Sequence, residues 1–175
     1  KTLLRAVAKF HREHPNLRLV LVGDGSEKEA LQGLAAELGI AERVTFTGQL
    51  PFSEVTTYLK AADMFGFASV TETQGLVTME AMAAGLPVVA VDASGTRDIL
   101  DNGEQGFLVR NDADALAAAI KQLLASPEKM RRFSMNALKK AKTFDVKHLA
   151  KKLTGVYEQA IQDKKDQQSV SIKIK

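Results

Sequence analysis

The stretch from Ser69 to Ala90 constrains the fold more than any other part of the chain. It indicates a loop, then a helix from about Gly75, then a buried strand that begins at Val88. Gly85 stands where a left-handed helix cap is expected, so the helix is predicted to end there. The apolar run 64–68 before the loop predicts another short buried strand. Together these features predict a strand–helix–strand unit of a parallel sheet.

The same alternation of strands and helices continues along the rest of the chain. Apolar runs at 17–22, 44–47 and 107–109 predict short strands, and amphipathic segments separate them. This order is typical of a Rossmann-like α/β fold, in which helices cover both faces of a parallel sheet, here with further helices at the C-terminal end. N-caps of four of the helices are predicted at Ser26 (in a capping box with Glu29), Ser53, Asp112 and Ser126.

We expect a single domain over residues 1–162 and a disordered tail at 163–175. The 175 residues suffice for one domain with a sizeable core. The first predicted helix has no strand before it, so the sequence is expected to start inside a strand–helix unit. The last amphipathic helix is predicted from about 145 to 161, and no periodicity continues beyond 164.

Composition excludes several kinds of site. The chain has no cysteine, which rules out disulfides, thiolate catalysis and zinc–thiolate centres in this sequence. His11, His14 and His148 do not have the spacing of metal ligands. No apolar run has membrane-spanning length and no signal peptide is visible, so a cytoplasmic location is expected.

The C-terminal end is lysine-rich, although the net charge of the whole chain is only +3. Residues 139–175 hold ten lysines against four acids. A basic end can attract anionic lipid or nucleic acid, but a solvated helix face has the same composition and is the favoured interpretation. A peripheral contact with the inner face of a membrane therefore stays open, and a nucleic-acid partner is not expected.

Two carboxylates frame the turn from the loop into the central helix. Glu72 lies in the loop and Glu80 follows eight positions later. A helix that starts at the carboxyl end of a parallel strand presents free N–H groups and its positive dipole end to a crevice, which favours phosphate. Carboxylates accept hydrogen bonds from sugar hydroxyls. The combination suits a ligand with an anionic middle and hydroxyl-rich ends, such as a nucleotide sugar.

The residues around these acids form a longer pattern. Residues 72–76 are Glu-Thr-Gln-Gly-Leu, and residues 80–88 are Glu-Ala-Met-Ala-Ala-Gly-Leu-Pro-Val. The pattern resembles the Glu-x7-Glu signature of retaining GT-B glycosyltransferases of the glycogen-synthase and family-4 kind. Gln74 replaces the aromatic residue that is usual there. The resemblance extends over residues 1–160 and implies the C-terminal, donor-binding half of a GT-B fold.

The resemblance implies roles for individual residues. Glu72 would lie at the transferred sugar as the catalytic carboxylate, and Glu80 would hold the ribose hydroxyls. The turn at 48–50 is similar to the family's nucleobase turn, although a plain strand-end turn fits it equally well. The Gly95–Thr96 turn resembles a loop near the phosphates. Backbone contacts to the donor are expected from Gly48, Gln49, Thr73, Gln74, Gly75 and Leu76.

The same resemblance implies a hexosyltransferase that moves a sugar from a nucleoside diphosphate to a hydroxyl of a glycan or lipid. A UDP-sugar is favoured over a GDP-sugar, and neither a metal nor a tightly bound cofactor is expected. The enzyme's own N-terminal domain would be the partner, and the isolated domain is expected to be inactive. A non-catalytic nucleotide or nucleotide-sugar binding module is the alternative. A nicotinamide or flavin fold is disfavoured, because Lys28 replaces the third glycine that a fingerprint starting at Gly23 requires.

Overall fold

The computed structural model describes the backbone of residues 1–173 and the side chains of residues 1–166. Helices and strands alternate in the order that the sequence predicts, with single 3-10 turns at Ala41–Arg43 and Lys142–Phe144. The elements are α1 Thr2–Ala8, β1 Leu19–Val22, α2 Lys28–Glu37, β2 Val44–Gly48, α3 Phe52–Ala61, β3 Phe65–Phe67, α4 Leu76–Ala83, β4 Val88–Val91, α5 Ser94–Arg97, β5 Gly106–Val109, α6 Ala113–Leu124, α7 Pro127–Ala141 and α8 Val146–Lys173.

The strands form two separate parallel sheets rather than one. β1 pairs with β2, with Leu19 opposite Val44, and β3, β4 and β5 form the second sheet in that order. In the second sheet Val88 lies opposite both Phe65 and Gly106. The predicted parallel α/β architecture is confirmed, and the division of the sheet is a feature that the sequence did not indicate.

β4 lies at the centre of the core, with helices on both faces. Val89 and Val91 point to one face, where they pack with α1, α6 and Phe133 of α7. Val88 and Ala90 point to the other face, where they pack with Met82 of α4, Ala137 of α7, and Ile99 and Leu100 just after α5. All four β4 residues are buried, as expected of a central strand in a parallel sheet covered on both sides.

Helix starts follow the predicted caps in the C-terminal half of the chain but not in the N-terminal half. Asp112 accepts hydrogen bonds from two backbone N–H groups of α6, and Ser126 accepts one from Lys129. The prediction for Ser26 is wrong, because a turn from Gly25 delays the start of α2 to Lys28 and no side chain caps it. The Ser53 prediction is also wrong: α3 begins at Phe52, one residue after a proline.

The last helix differs most from expectation. α8 continues through 163–173, where the sequence predicted a disordered tail, and residues 174–175 lie outside the described part. The domain boundary at residue 162 stays a prediction. The apolar residues of α8 are largely exposed to solvent. Leu149, Leu153, Val156 and Tyr157 are 45–63% exposed, so the apolar side that the sequence predicts is not buried. Across the described residues, no helix combines the length and the apolar character that a bilayer crossing requires.

Candidate functional site

The candidate site lies where the loop after β3 enters α4. The loop ends at Gly75, which has a left-handed backbone (φ 68°) and precedes the first helical residue, Leu76. The first helical bond of α4 runs from Met79 N–H to Gly75 O. The N–H groups of Leu76, Val77 and Thr78 therefore have no acceptor within the helix, as at any helix start. Leu76 and Val77 are exposed at this helix start, whereas Gly75 and Thr78 are buried.

The loop is fixed against α5 by very close backbone packing. The Gly95 N–H donates to Glu72 O at 3.1 Å, and Ser94 Oγ donates to the same oxygen at 3.4 Å. A Cβ atom added to Gly75 would lie 2.5 Å from Gly95 O, and one added to Gly95 would lie 2.7 Å from Glu72 O. Both glycines are buried, so neither position has room for a side chain. The Gly75 turn and the Gly95 turn, predicted separately, are thus parts of one structure.

The carboxylate of Glu72 caps the turn. Glu72 Oε1 accepts hydrogen bonds from the backbone N–H groups of Gly75 at 2.9 Å and Gln74 at 3.2 Å. The sequence predicts that the N–H groups of Gln74 and Gly75 contact the nucleotide-sugar donor. In this structure both donate to Glu72 instead. This capping role was not predicted, although an acid two and three residues before free N–H groups is a common arrangement at helix starts.

Glu80 lies on the same face of α4 as the exposed helix start. Leu76 and Glu80 are four residues apart, which places them one above the other on a helix. Leu76 is 53% exposed and Glu80 is partly exposed. Thr73 and Gln74 are also exposed. The spacing therefore places Glu80 on the side of α4 that carries exposed Leu76, and the roles of Glu80 and of the loop residues toward a ligand stay predictions.

The turn after β2 is held by the turn after β1. The Gly23 N–H donates to Gly48 O at 3.0 Å, and Lys28 Nζ donates to Asp24 Oδ2 at 3.0 Å. A Cβ atom on Gly48 would lie 3.3 Å from Asp24 Oδ2. Gly48 is buried and Gln49 beside it is exposed. This contact fixes the turn at 48–50, whose role toward a nucleobase stays a prediction.

Asp24 and Lys28 form an ion pair beside Gly48 that the sequence did not predict. The hydrogen bond from the Lys28 ammonium and, to a smaller extent, the one from the Gly25 N–H lower the pKa of Asp24, so this carboxylate is ionised at neutral pH. Their four-residue spacing was a visible signal, since Asp and Lys at this distance often pair at a helix start. The sequence could not predict that this pair lies next to Gly48.

The site is an open edge. Two surface depressions lie away from it, around the C-terminal end of α1, lined by residues that include Arg12 and Glu37. Within the part of the chain whose side chains are described, no group of three or more His, Asp or Glu residues could hold a metal ion. Independence of a metal stays a prediction.

Comparisons with known proteins agree with this architecture. The family model described as "Glycosyl transferases group 1" matches residues 1–140. D-inositol 3-phosphate glycosyltransferase of Stackebrandtia nassauensis is 39% identical over 170 residues, which cover 91% of this chain and 38% of that protein. The chain thus spans about two fifths of the length of this relative.

Two solved structures have a fold similar to that of this chain. HepE from Anabaena, determined in complex with UDP, has a TM-score of 0.79 and 28% identity over 90% of this chain and 44% of its own. The C-terminal domain of LpcC, a glycosyl transferase group 1 family protein from Francisella tularensis, has a TM-score of 0.74 at 22% identity. That match covers 81% of this chain and 76% of the LpcC domain, so the present fold is that of a C-terminal domain.

Proposed function

Because the chain belongs to the group 1 glycosyl transferases, we propose that it is the donor-binding half of a retaining hexosyltransferase. The whole enzyme would transfer a hexose from a nucleoside diphosphate to a hydroxyl group of a glycan or lipid. The observation that carries this proposal is the preformed loop at Glu72–Gly75, clamped by α5 and followed by the open start of α4.

The donor diphosphate would bind at the start of α4. The N–H groups of Leu76 and Val77, both exposed residues, and the positive end of the helix dipole favour an anion there. In the transfer step the bond between the sugar and the diphosphate breaks, and negative charge develops on the leaving phosphate. Donors that are already oriented stabilise such charge without rearrangement.

The two acids would bind the hydroxyl-rich parts of the donor. Glu72 Oε1 is held by the Gly75 and Gln74 N–H groups, which orients Oε2 as an acceptor for a hydroxyl of the transferred sugar. Glu80, on the Leu76 face of α4, would accept from the ribose. The backbone at Gly48–Gln49 would meet the base. UDP is favoured as the nucleotide because the HepE structure contains it.

The remainder of the enzyme would pack on α8. The apolar residues of this helix are exposed, and the relative in Stackebrandtia is more than twice as long as this chain. An N-terminal domain on this surface would cover the donor site at the start of α4 and supply the acceptor site. The alternative is that the protein is cytoplasmic and that α8 contacts a membrane surface instead, since lysines lie along this helix. Binding of the full-length protein to phosphatidylglycerol vesicles, lost on α8 lysine-to-glutamine changes, would favour the membrane.

Glu72→Gln in the full-length protein tests the catalytic role. The amide oxygen of glutamine can still accept from the Gly75 and Gln74 N–H groups, so the loop keeps its cap while the charge is lost. We expect at least about a 100-fold loss of hexose transfer, with UDP affinity in calorimetry nearly unchanged. Glu128→Gln, an exposed acid on α7, is the matched control. Unchanged transfer by Glu72→Gln would refute the role.

Binding and transfer separate this proposal from the alternative. UDP binding that is weakened by Glu80→Ala fits both an enzyme and a non-catalytic binding module. Transfer of hexose by the full-length protein from UDP-glucose, UDP-galactose or GDP-mannose fits only the enzyme. A protein that binds UDP but transfers sugar from none of a full panel of nucleotide sugars is a binding module.

A further inference from the structure

The solvent-facing side of α7 carries cations and large apolar residues together. After Pro127, the exposed residues of the helix and its C-cap are Glu128, Arg131, Arg132, Met135, Leu138, Lys139 and Lys142. Their spacing of three and four residues places them on one side of the helix. Phe133 and Ala137 are buried on the opposite side. We call the exposed residues from Arg131 to Lys142 the α7 face.

The charge of the α7 face is unbalanced. The face holds four cations, Arg131, Arg132, Lys139 and Lys142, and no acid. Within residues 1–166, none of these four side chains forms a salt bridge. Lys140, which lies outside the face, is by contrast paired with Asp101 at 2.7 Å. The four charges of the face are therefore available to an anionic partner.

Two large apolar side chains lie among these cations. Met135 is 64% exposed and Leu138 is 42% exposed. They are three residues apart, so they are neighbours on the helix surface. Arg131 and Lys139, four residues before and after Met135, flank them along the same side. Exposed cations beside exposed apolar side chains are typical of helices that lie at a membrane surface.

Two other surface helices of the chain do not share this composition. The exposed residues of α6 are Asp114, Ala118 and Gln122. Those of α2 are Glu29, Ala30, Gln32, Gly33, Ala36 and Glu37. These residues include no cation and no large apolar side chain, as expected of helix sides that contact only water. The α7 face differs from both helices in its charge and in its apolar content.

An anionic bilayer matches both features of the α7 face, whereas nucleic acid matches only one. Anionic headgroups strengthen the binding of a nearby Lys or Arg by roughly fivefold per residue. Apolar side chains can enter the boundary between the headgroups and the acyl chains. Nucleic acid also attracts cations. Its single strands, however, bind by stacking bases on aromatic side chains, and the α7 face has none.

We propose that the α7 face is a docking surface for an anionic lipid bilayer, with the helix lying along the membrane plane. Met135 and Leu138 would enter the headgroup region, and the four cations would contact lipid phosphates. α8 is not part of this surface, because its apolar side is assigned to the remainder of the enzyme. The proposal involves no nucleotide, so it stands or falls independently of donor binding and transfer.

Co-sedimentation of the full-length protein with sucrose-loaded vesicles tests this surface. Vesicles of phosphatidylcholine mixed with phosphatidylglycerol should bind the protein, and vesicles of phosphatidylcholine alone should not. The α7 variant combines four substitutions, Arg131→Gln, Arg132→Gln, Lys139→Gln and Lys142→Gln. It should bind the mixed vesicles at least about 50-fold more weakly, since each lost cation weakens binding roughly fivefold. The matched control makes the same change of charge at exposed residues of α8 and should bind nearly like the wild type. It combines Lys147→Gln, Lys151→Gln, Lys152→Gln and Lys164→Gln.

A neutral substitution tests the apolar part of the contact. Met135→Gln keeps the charge of the face and should weaken vesicle binding several-fold, because less apolar surface enters the headgroup region. Equal binding by Met135→Gln and the wild type would overturn the proposal. So would equal losses in the α7 and α8 variants, a loss in the α8 variant alone, or no binding by the wild type. Tighter binding of the wild type to poly(U) RNA than to the mixed vesicles at the same salt concentration would assign the face to nucleic acid instead.

Discussion

Gly75→Ala is the substitution that most directly tests how the loop is built. Gly75 has φ 68°, and an added Cβ would lie 2.5 Å from Gly95 O and 2.6 Å from Ile99 Cγ1. Contacts under 3.0 Å are essentially absent for real Cβ atoms, and one of these partners is backbone that cannot rotate away. The new methyl group must therefore displace α5 or the loop.

The magnitude follows from two separate effects. A left-handed backbone destabilises an alanine by about 1–2 kcal/mol. Overpacking typically adds about 1–3 kcal/mol, so Gly75→Ala should lower the free energy of unfolding by roughly 2–5 kcal/mol. Gly39→Ala is the matched control, because Gly39 also has φ 68° but nothing lies within 4 Å of an added Cβ. It should show the first effect alone.

Urea unfolding followed by circular dichroism, on chains of equal length, measures both free energies. The difference between Gly75→Ala and Gly39→Ala isolates the contact with α5 and should be at least about 1 kcal/mol. In the full-length protein Gly75→Ala should also weaken UDP binding, while Gly39→Ala should not. Equal destabilisation by the two substitutions would refute the close packing of the loop on α5.

Further substitutions test the core, a cap and an ion pair. Phe133→Ala, which removes a buried ring packed 5.2 Å from Phe107, should lower the free energy of urea unfolding by about 3–5 kcal/mol. Ser126→Ala should lower it by about 1 kcal/mol, and Ser126→Asp should restore it. Lys140 Nζ donates to Asp101 at 2.7 Å and lowers the pKa of that carboxyl below its ordinary value of 3.8. The pair therefore stabilises the fold above that value and stops doing so as pH falls through the lowered pKa. Melting temperatures between pH 7 and 2 should fall less steeply in Lys140→Gln than in the exposed-lysine control Lys139→Gln.

Local sequence signals predicted local structure well. The apolar run at Val88 gave a fully buried strand, and Asp112 and Ser126 cap helices as their positions indicate. These features depend on residues within one turn of each other. The failed caps at Ser26 and Ser53 show the limit, because a neighbouring glycine turn and a proline moved the helix starts by a residue or two.

Contacts between distant segments could not be predicted in the same way. The sequence pointed to Glu72 and to Gly95, but it could not show that Gly95 donates to the Glu72 carbonyl across 23 residues of chain. It also predicted an apolar side for α8 without showing that this side would be exposed. In both cases the structure depends on which other segment packs against the residues. The spacing of apolar residues predicts which side of a helix is apolar, but it does not identify that partner.

The network around Glu72 explains why this half of the site is ordered before any ligand binds. The Glu72 carbonyl is held by Gly95, and its carboxylate is held by the Gly75 and Gln74 N–H groups. A loop that is already fixed loses little conformational entropy on binding, so more of the interaction energy appears as affinity and as stabilisation of charge. The same residue would then fix the loop and contact the sugar. Glu72→Asp should consequently impair both roles, since one methylene less withdraws the carboxylate from the Gly75 N–H, whereas Glu72→Gln should impair only the second.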